Sequence, residues 1–272
     1  MVKHRGFHKG DSGPAAPPYS SGPLETDTPI IFQEPNVESY KRYVLEENFA
    51  KKPGVNGDMV IDPDADDAAV LAAYVIANKD FEVVGTNAST DDVTFSSIVG
   101  GIELETDGSG SDQVIIAPHL DTDQTAWAGI LWGTENQVIW EAVIKTDASI
   151  ADITIWAGLK LTNTSTVITD ADAAYFRFDT AVANWEATTS IADTDVEYDT
   201  GIAVAASTIY YFKIVIDSDR KPHFYIDNKE VYVGGALTND IDLIPYVGVQ
   251  DDAASAKTIF LVKEKISRII FE

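Results

Sequence analysis

From Asp80 onward the chain is written in short segments of five to ten residues, rich in Val, Ile, Thr, Tyr, Phe and Trp and separated by clusters of Gly, Asn, Asp and Ser. Such segments alternate with period two, as strands with one buried face do, and no long 3.6-residue period follows residue 80. In "NQVIWEAVIKT" the row Val138, Trp140, Ala142, Ile144 takes one face and Gln137, Glu141, Lys145 the other. In "DITIWAGLKLTN" the row Ile153, Ile155, Ala157, Leu159, Leu161 is the buried one, which leaves Thr154, Trp156 and Lys160 opposite it. A stretch of this kind predicts an all-β sandwich of about a dozen strands and excludes a parallel sheet with crossover helices. The 45% hydrophobic content is enough to fill its core.

The first 80 residues read differently. Pro14, Pro17, Pro18, Pro23 and Pro29 sit among Gly and Ser. Proline fixes φ and donates no hydrogen bond, so residues 1–29 predict an extended arm. Residues 30–80 predict a linking segment with one or two short helices. The first is "PNVESYKRYVLEENF", capped by Asn36 with Val37, Tyr40 and Val44 at helical spacing, and the second is "DDAAVLAAYVIAN". The sandwich then occupies 81–272.

Charge narrows the function. With 19 basic and 44 acidic side chains the net charge is −25, and such a body repels the phosphates that nucleic-acid binding must neutralise. Cysteine is absent, which removes disulfides and thiolate chemistry. Neither a signal-peptide core nor an apolar run of membrane-spanning length occurs, so no membrane partner is expected. The first ten residues reverse the sign, with Lys3, Arg5 and Lys9 and no acid. Lys3, Arg5, Phe7, Lys9 and Tyr19 are therefore the candidate residues for gripping an acidic partner.

Four aspartates, Asp62, Asp64, Asp66 and Asp67, precede the second predicted helix. An EF-hand counted from Asp62 would need Gly and Glu where Asp67 and Ala73 stand. The spacing of Asp62, Asp66 and Asp67 resembles a nucleoside hydrolase's calcium site, but the all-β remainder supplies none of the βα loops that would complete it. Carboxylates at a helix start cap free N–H groups, and that is the expectation here. The E-x-D-x-x-E strand of retaining glucanases is likewise missing: Glu105 and Asp107 are followed by Gly110 in the glutamate's place. His119, Asp121 and Asp123 alternate in "PHLDTDQTAW"; calcium is the ion they would take, although a turn is the simpler reading. No cofactor is otherwise implied. Trp140 belongs to a core row, whereas Trp156 is the candidate for an interface or glycan contact.

"AVAASTIYYFKIVIDSDRKPHFYIDNKEV" reads as three strands with turns at 218–221 and at Asp227–Asn228, and "KISRIIFE" as a closing strand. Together they resemble a concanavalin-like or laminin G-like jelly roll. "NKDFEVVGTNAS", "DQVIIAPHLDTDQTAWAGILWGTENQVIWEAVIKT" and "IWAGLKLTNT" resemble virion structural proteins of tailed bacteriophages that carry this sandwich. That resemblance implies a non-enzymatic decoration or cement protein, assembled in the host cytoplasm and bound to the major capsid protein on the outer surface of the head. It also implies a homo-oligomer, with a trimer as the expected state. The alternative it leaves is a tail or fibre component with a glycan-binding jelly roll.

Overall fold

The structure is a computed structural model that describes residues 41–51, 53, 80–118, 126–162 and 170–270, all within one unit, Asn36–Glu272. Among the described residues the chain forms β1 (Arg42–Glu47), β2 (Phe81–Val84), β3 (Val93–Phe95), β4 (Ile102–Glu105), β5 (Gln113–Pro118), a single-turn helix α1 (Ala126–Gly129), β6 (Trp132–Gly133) and β7 (Ile139–Thr146). It continues with β8 (Ile153–Lys160), β9 (Asp172–Asp179), β10 (Val182–Ile191), β11 (Thr194–Ala203), β12 (Ile209–Ile216), β13 (Pro222–Ile226), β14 (Lys229–Val233), β15 (Asp242–Asp251) and β16 (Thr258–Ile269). The first sheet runs β14-β13-β12-β7-β16-β4-β3, with β1 also on β16. The second runs β11-β10-β9-β8-β15-β5-β2, with β6 on β15. The expected all-β sandwich is the fold.

The alternating rows face each other as their periodicity requires. Trp140, Ala142 and Ile144 of β7 and Ile153, Ile155, Ala157 and Leu159 of β8 are buried in one core. Its centre is aromatic: Phe176 lies 4.7 Å from Phe212 and 5.3 Å, edge-on, from Phe224, while Trp185 meets Phe212 at 4.8 Å. Rings at such separations contribute beyond the area they bury. The β13–β14 turn is Asp227–Asn228 as expected. Both residues have positive φ, 50° and 65°, the pair of left-handed positions that a two-residue hairpin turn demands and Asp and Asn tolerate.

One expectation is corrected. Residues 42–47, inside the first predicted helix, form β1, paired antiparallel with β16 from Arg42↔Ile269 to Glu47↔Glu264. The free edge of β16 offers a ladder, Arg42 donates to the Gln137 carbonyl at 2.7 Å and to Ser267, and this tertiary pairing outweighs a weak helical spacing. The second predicted helix and its four aspartates lie outside the described residues.

Two glycines shape the outer face of the second sheet. Gly158 of β8 sits between Tyr175 of β9 and Tyr246 of β15, and the two rings meet edge-to-face at 6.2 Å. A Cβ at position 158 would stand 2.5 Å from the Ala174 carbonyl oxygen and 2.6 Å from Tyr175 Cα. Backbone cannot yield there as a flexible side chain would. Gly158→Ala should therefore lower stability by about 1–2 kcal/mol, read as a lower urea midpoint with an unchanged slope; an unaltered midpoint would show that the strands separate freely at this point.

Candidate binding face of the second sheet

Trp156 lies on the outer face of β8, as its alternation with Ile155 and Ala157 predicts, but it is not presented to solvent. It is 3% exposed and packs in a small second cluster with Ile115, Ala117, Ala173, Tyr175 and Tyr246. The candidate for an interface or glycan contact is thus packed within the sheet's own outer face. Thr154 and Lys160 on the same face are buried with it. The physical cause is lateral: the outward rows of β5, β9 and β15 are themselves apolar or aromatic, and Gly158 and Gly248 leave space beside the rings. Lys160 Nζ stands 3.9 Å from Asp170 and 5.3 Å from the Tyr246 ring centre. Burial pulls its ammonium below the usual lysine range, partly offset by Asp170 and Glu82.

Beyond Trp156 the face becomes charged. Register places Arg177 of β9 beside Trp156, Glu186 of β10 beside Arg177, and Asp199 of β11 beside Glu186. Arg177 bonds Asp179 at 2.9 Å and Glu197 at 3.0 Å, and Glu186 lies 3.8 Å away. Burial raises the Glu186 carboxyl above its usual range, and the negative charge of Glu197, Asp179 and Asp199 adds to what Arg177 counters only in part. Several buried polar atoms on this face have no hydrogen-bond partner: Trp156 Nε1, Tyr246 Oη, Arg177 Nε and Glu186 Oε2. An arrangement of this kind can hold a cationic group or share hydrogen bonds with a polar ligand. Arg177 and Glu186 were not singled out from the sequence, and the signal that could have found them is the alternation of Tyr175, Arg177 and Asp179 along one strand.

The other sequence candidates do not join this site. Lys3, Arg5, Phe7, Lys9, Tyr19, His119, Asp121 and Asp123 lie outside the described residues. Among the described residues no three His, Asp or Glu side chains come together as metal ligands would, and no helix is long and apolar enough to cross a membrane. His223, on β13, has its ring nitrogens 3.2 Å from Asp217 and 3.1 Å from Glu230, a bridged surface histidine.

No family model matches this chain, and no curated protein does. Solved structures match in fold. A protein of unknown function from Shewanella oneidensis MR-1 superimposes with a TM-score of 0.53 at 11% identity, over 84% of this chain and 87% of that one. An alginate lyase, A1-II′ of polysaccharide lyase family 7, gives 0.50 at 10% identity, over 68% and 86%. A β-glucanase from Bacillus licheniformis gives 0.49 at 8% identity, over 68% and 91%. At such identities the likeness is one of fold, and the fold is a concanavalin-like jelly roll.

Proposed function

We propose that this chain is a non-enzymatic structural protein of a tailed-phage particle, bound to the major capsid protein on the outside of the head and stabilising the shell by protein–protein contacts. The observation that carries this reading is the closure of the outer sheet face around Trp156: the ring best placed for stacking on a ligand is spent on the protein's own packing. What stays open is polar and strand-like, the exposed acidic β11, a surface suited to another polypeptide. The residue runs resembling virion proteins and the basic, proline-rich N-terminus support the same reading. Residues 1–29 tie neighbouring subunits together, and they do so only where contacts offset the roughly 1–2 kcal/mol of backbone entropy lost per ordered residue.

Quantitative mass spectrometry of purified particles tests this. Hundreds of copies per particle are expected for a head decoration protein, and deleting residues 1–29 should abolish binding. Absence from particles overturns the proposal. A few copies to a few dozen move the protein to the tail, where the second reading applies: a glycan-binding fibre component. The partly exposed Arg177 with Asp179 and Glu197 favours that reading. A glycan array with wild type and Arg177→Ala separates the two, since a cement protein binds no sugar on it.

A further inference from the structure

The strand β11 closes one side of the second sheet. Among the described residues it pairs only with β10, and the far side of its regular part, residues 194–199, is an open ladder; beyond Asp199 the register breaks and the Gly201 and Ile202 N–H groups donate to the Asp199 and Thr200 side chains. Native edges of this length are usually blunted by charged side chains, proline or a bulge; "TDVEYDTGIA" has no proline, its bulge lies C-terminal to Asp199, and its charges are all acidic. Its outward side chains on the outer face are Asp195, Glu197 and Asp199, all exposed, and its other side carries Val196 and Tyr198, 45% and 44% exposed. Tyr198 stacks at 4.4 Å on Tyr232 of β14, which steadies the strand from within and leaves its edge open.

Among the described residues the acids of this strip outnumber the cations set against them. Asp179, Glu186 and Glu197 gather on Arg177, which is committed to Asp179 and Glu197, while Asp195 and Asp199 flank Glu197 along β11. Glu186 is 7% exposed, and its Oε2 has no hydrogen bond. The chain itself contains a segment of the opposite sign and the same period. In "MVKHRGFHKG" the odd positions are Lys3, Arg5, Phe7 and Lys9, and side chains two apart share a face when a segment is extended. Lys3 and Arg5 then repeat at the spacing of two successive β11 acids.

We propose that the open edge of β11 receives the extended basic N-terminus of a second copy of this chain, added as a further strand with Lys3 and Arg5 over the Asp195–Glu197–Asp199 strip. Main-chain bonds supply the affinity of such an addition, and the alternate side chains set its register. The inference rests on the reading of residues 1–29 as a docking arm, and it names the surface that arm takes.

Sedimentation velocity of the full chain at low and high salt tests it. Association should be strong at low ionic strength and weaken at high salt. Lys3→Glu/Arg5→Glu in the arm, or Asp195→Lys/Glu197→Lys in the strip, should each weaken it at least tenfold, and the two reversals in one chain should recover most of it. Recovery in the double reversal separates this contact from general attraction to an acidic body. The strip residues are exposed, and Arg177 keeps Asp179 when Glu197 is changed. Asp195→Asn/Glu197→Gln serves as a second, milder pair, expected to weaken association severalfold. A chain that stays monomeric, association indifferent to either reversal, or a double reversal no stronger than the singles overturns the inference. Particle occupancy of the same variants is scored separately: swap recovery in a chain absent from particles removes the virion reading alone, and particle binding without any swap effect removes this one alone.

Discussion

Trp156→Ala is expected to destabilise the fold by about 3–5 kcal/mol, the range for removing a large buried aromatic. The ring is 3% exposed among Ile115, Ala117, Ala173, Tyr175 and Tyr246, and it stands opposite Gly248 of β15. Gly248 offers no side chain to fill the vacated volume from that side, so relaxation is partial. Its Nε1 has no hydrogen-bond partner, so the loss comes from burial and dispersion alone. For a folded unit of this size the melting temperature should fall by roughly 10 °C. Urea unfolding followed by far-ultraviolet circular dichroism checks it, since that signal does not depend on which tryptophan was removed. The functional alternative makes the opposite forecast: a ligand-stacking tryptophan is dispensable for folding, and its loss shifts the urea midpoint little while abolishing sugar binding. Stability within about 0.5 kcal/mol of wild type would therefore restore Trp156 as a contact residue and remove the closed-face argument.

How far the sequence reaches can be seen strand by strand. β7 and β8 were legible because period-two alternation over eight residues has one physical reading, and the core rows it picked out are buried. The β13–β14 turn was legible because Asp-Asn names its own turn. The β10–β11 turn was not: Ala192 and Asp193 take positive φ, 48° and 61°, and alanine gives no hint of it. Arg42–Glu47 was misread because its partner, β16, lies more than two hundred residues away, and local spacing cannot show a distant ladder. The site was least legible. Alternation told which face Trp156 occupies, but its burial depends on side chains of β5, β9 and β15 that only the sheet order brings beside it. The acids of β11 were visible as letters, whereas the meeting of Glu197 with Arg177 follows from registers that no single strand encodes.

The same dependence on register explains a carboxyl in the core. A strict period of two through β16 would place Lys263 and Lys265 inward after Ile259 and Leu261. A bulge between Leu261 and Lys263 shifts the phase, which turns Lys265 out toward Glu141 at 3.4 Å and Ile266 in. Glu264 goes in with it, 2% exposed, opposite Ala142 and accepting a 2.9 Å bond from Trp140 Nε1. Burial pushes its carboxyl up from 4.5 to about 7, and the Trp140 bond offsets this only in part. Between those two values the folded chain keeps a proton that the unfolded chain has released. Folded protein then binds more protons than unfolded, so this residue makes stability fall as pH rises through the window. The shift corresponds to about 3 kcal/mol once pH exceeds the folded value. Glu264→Gln retains an acceptor for Trp140 and cannot ionise. Its stability relative to wild type should be near zero at pH 4.5, grow through pH 6 and level off above pH 7 at a gain of about 2–3 kcal/mol. Paired urea titrations of the two proteins at each pH isolate this residue, because the titration of the remaining carboxylates cancels in the difference. A difference that stays flat from pH 4.5 to 8 would mean that water or a rearranged partner meets the charge, and that the bulge sets the phase of β16 at no electrostatic cost.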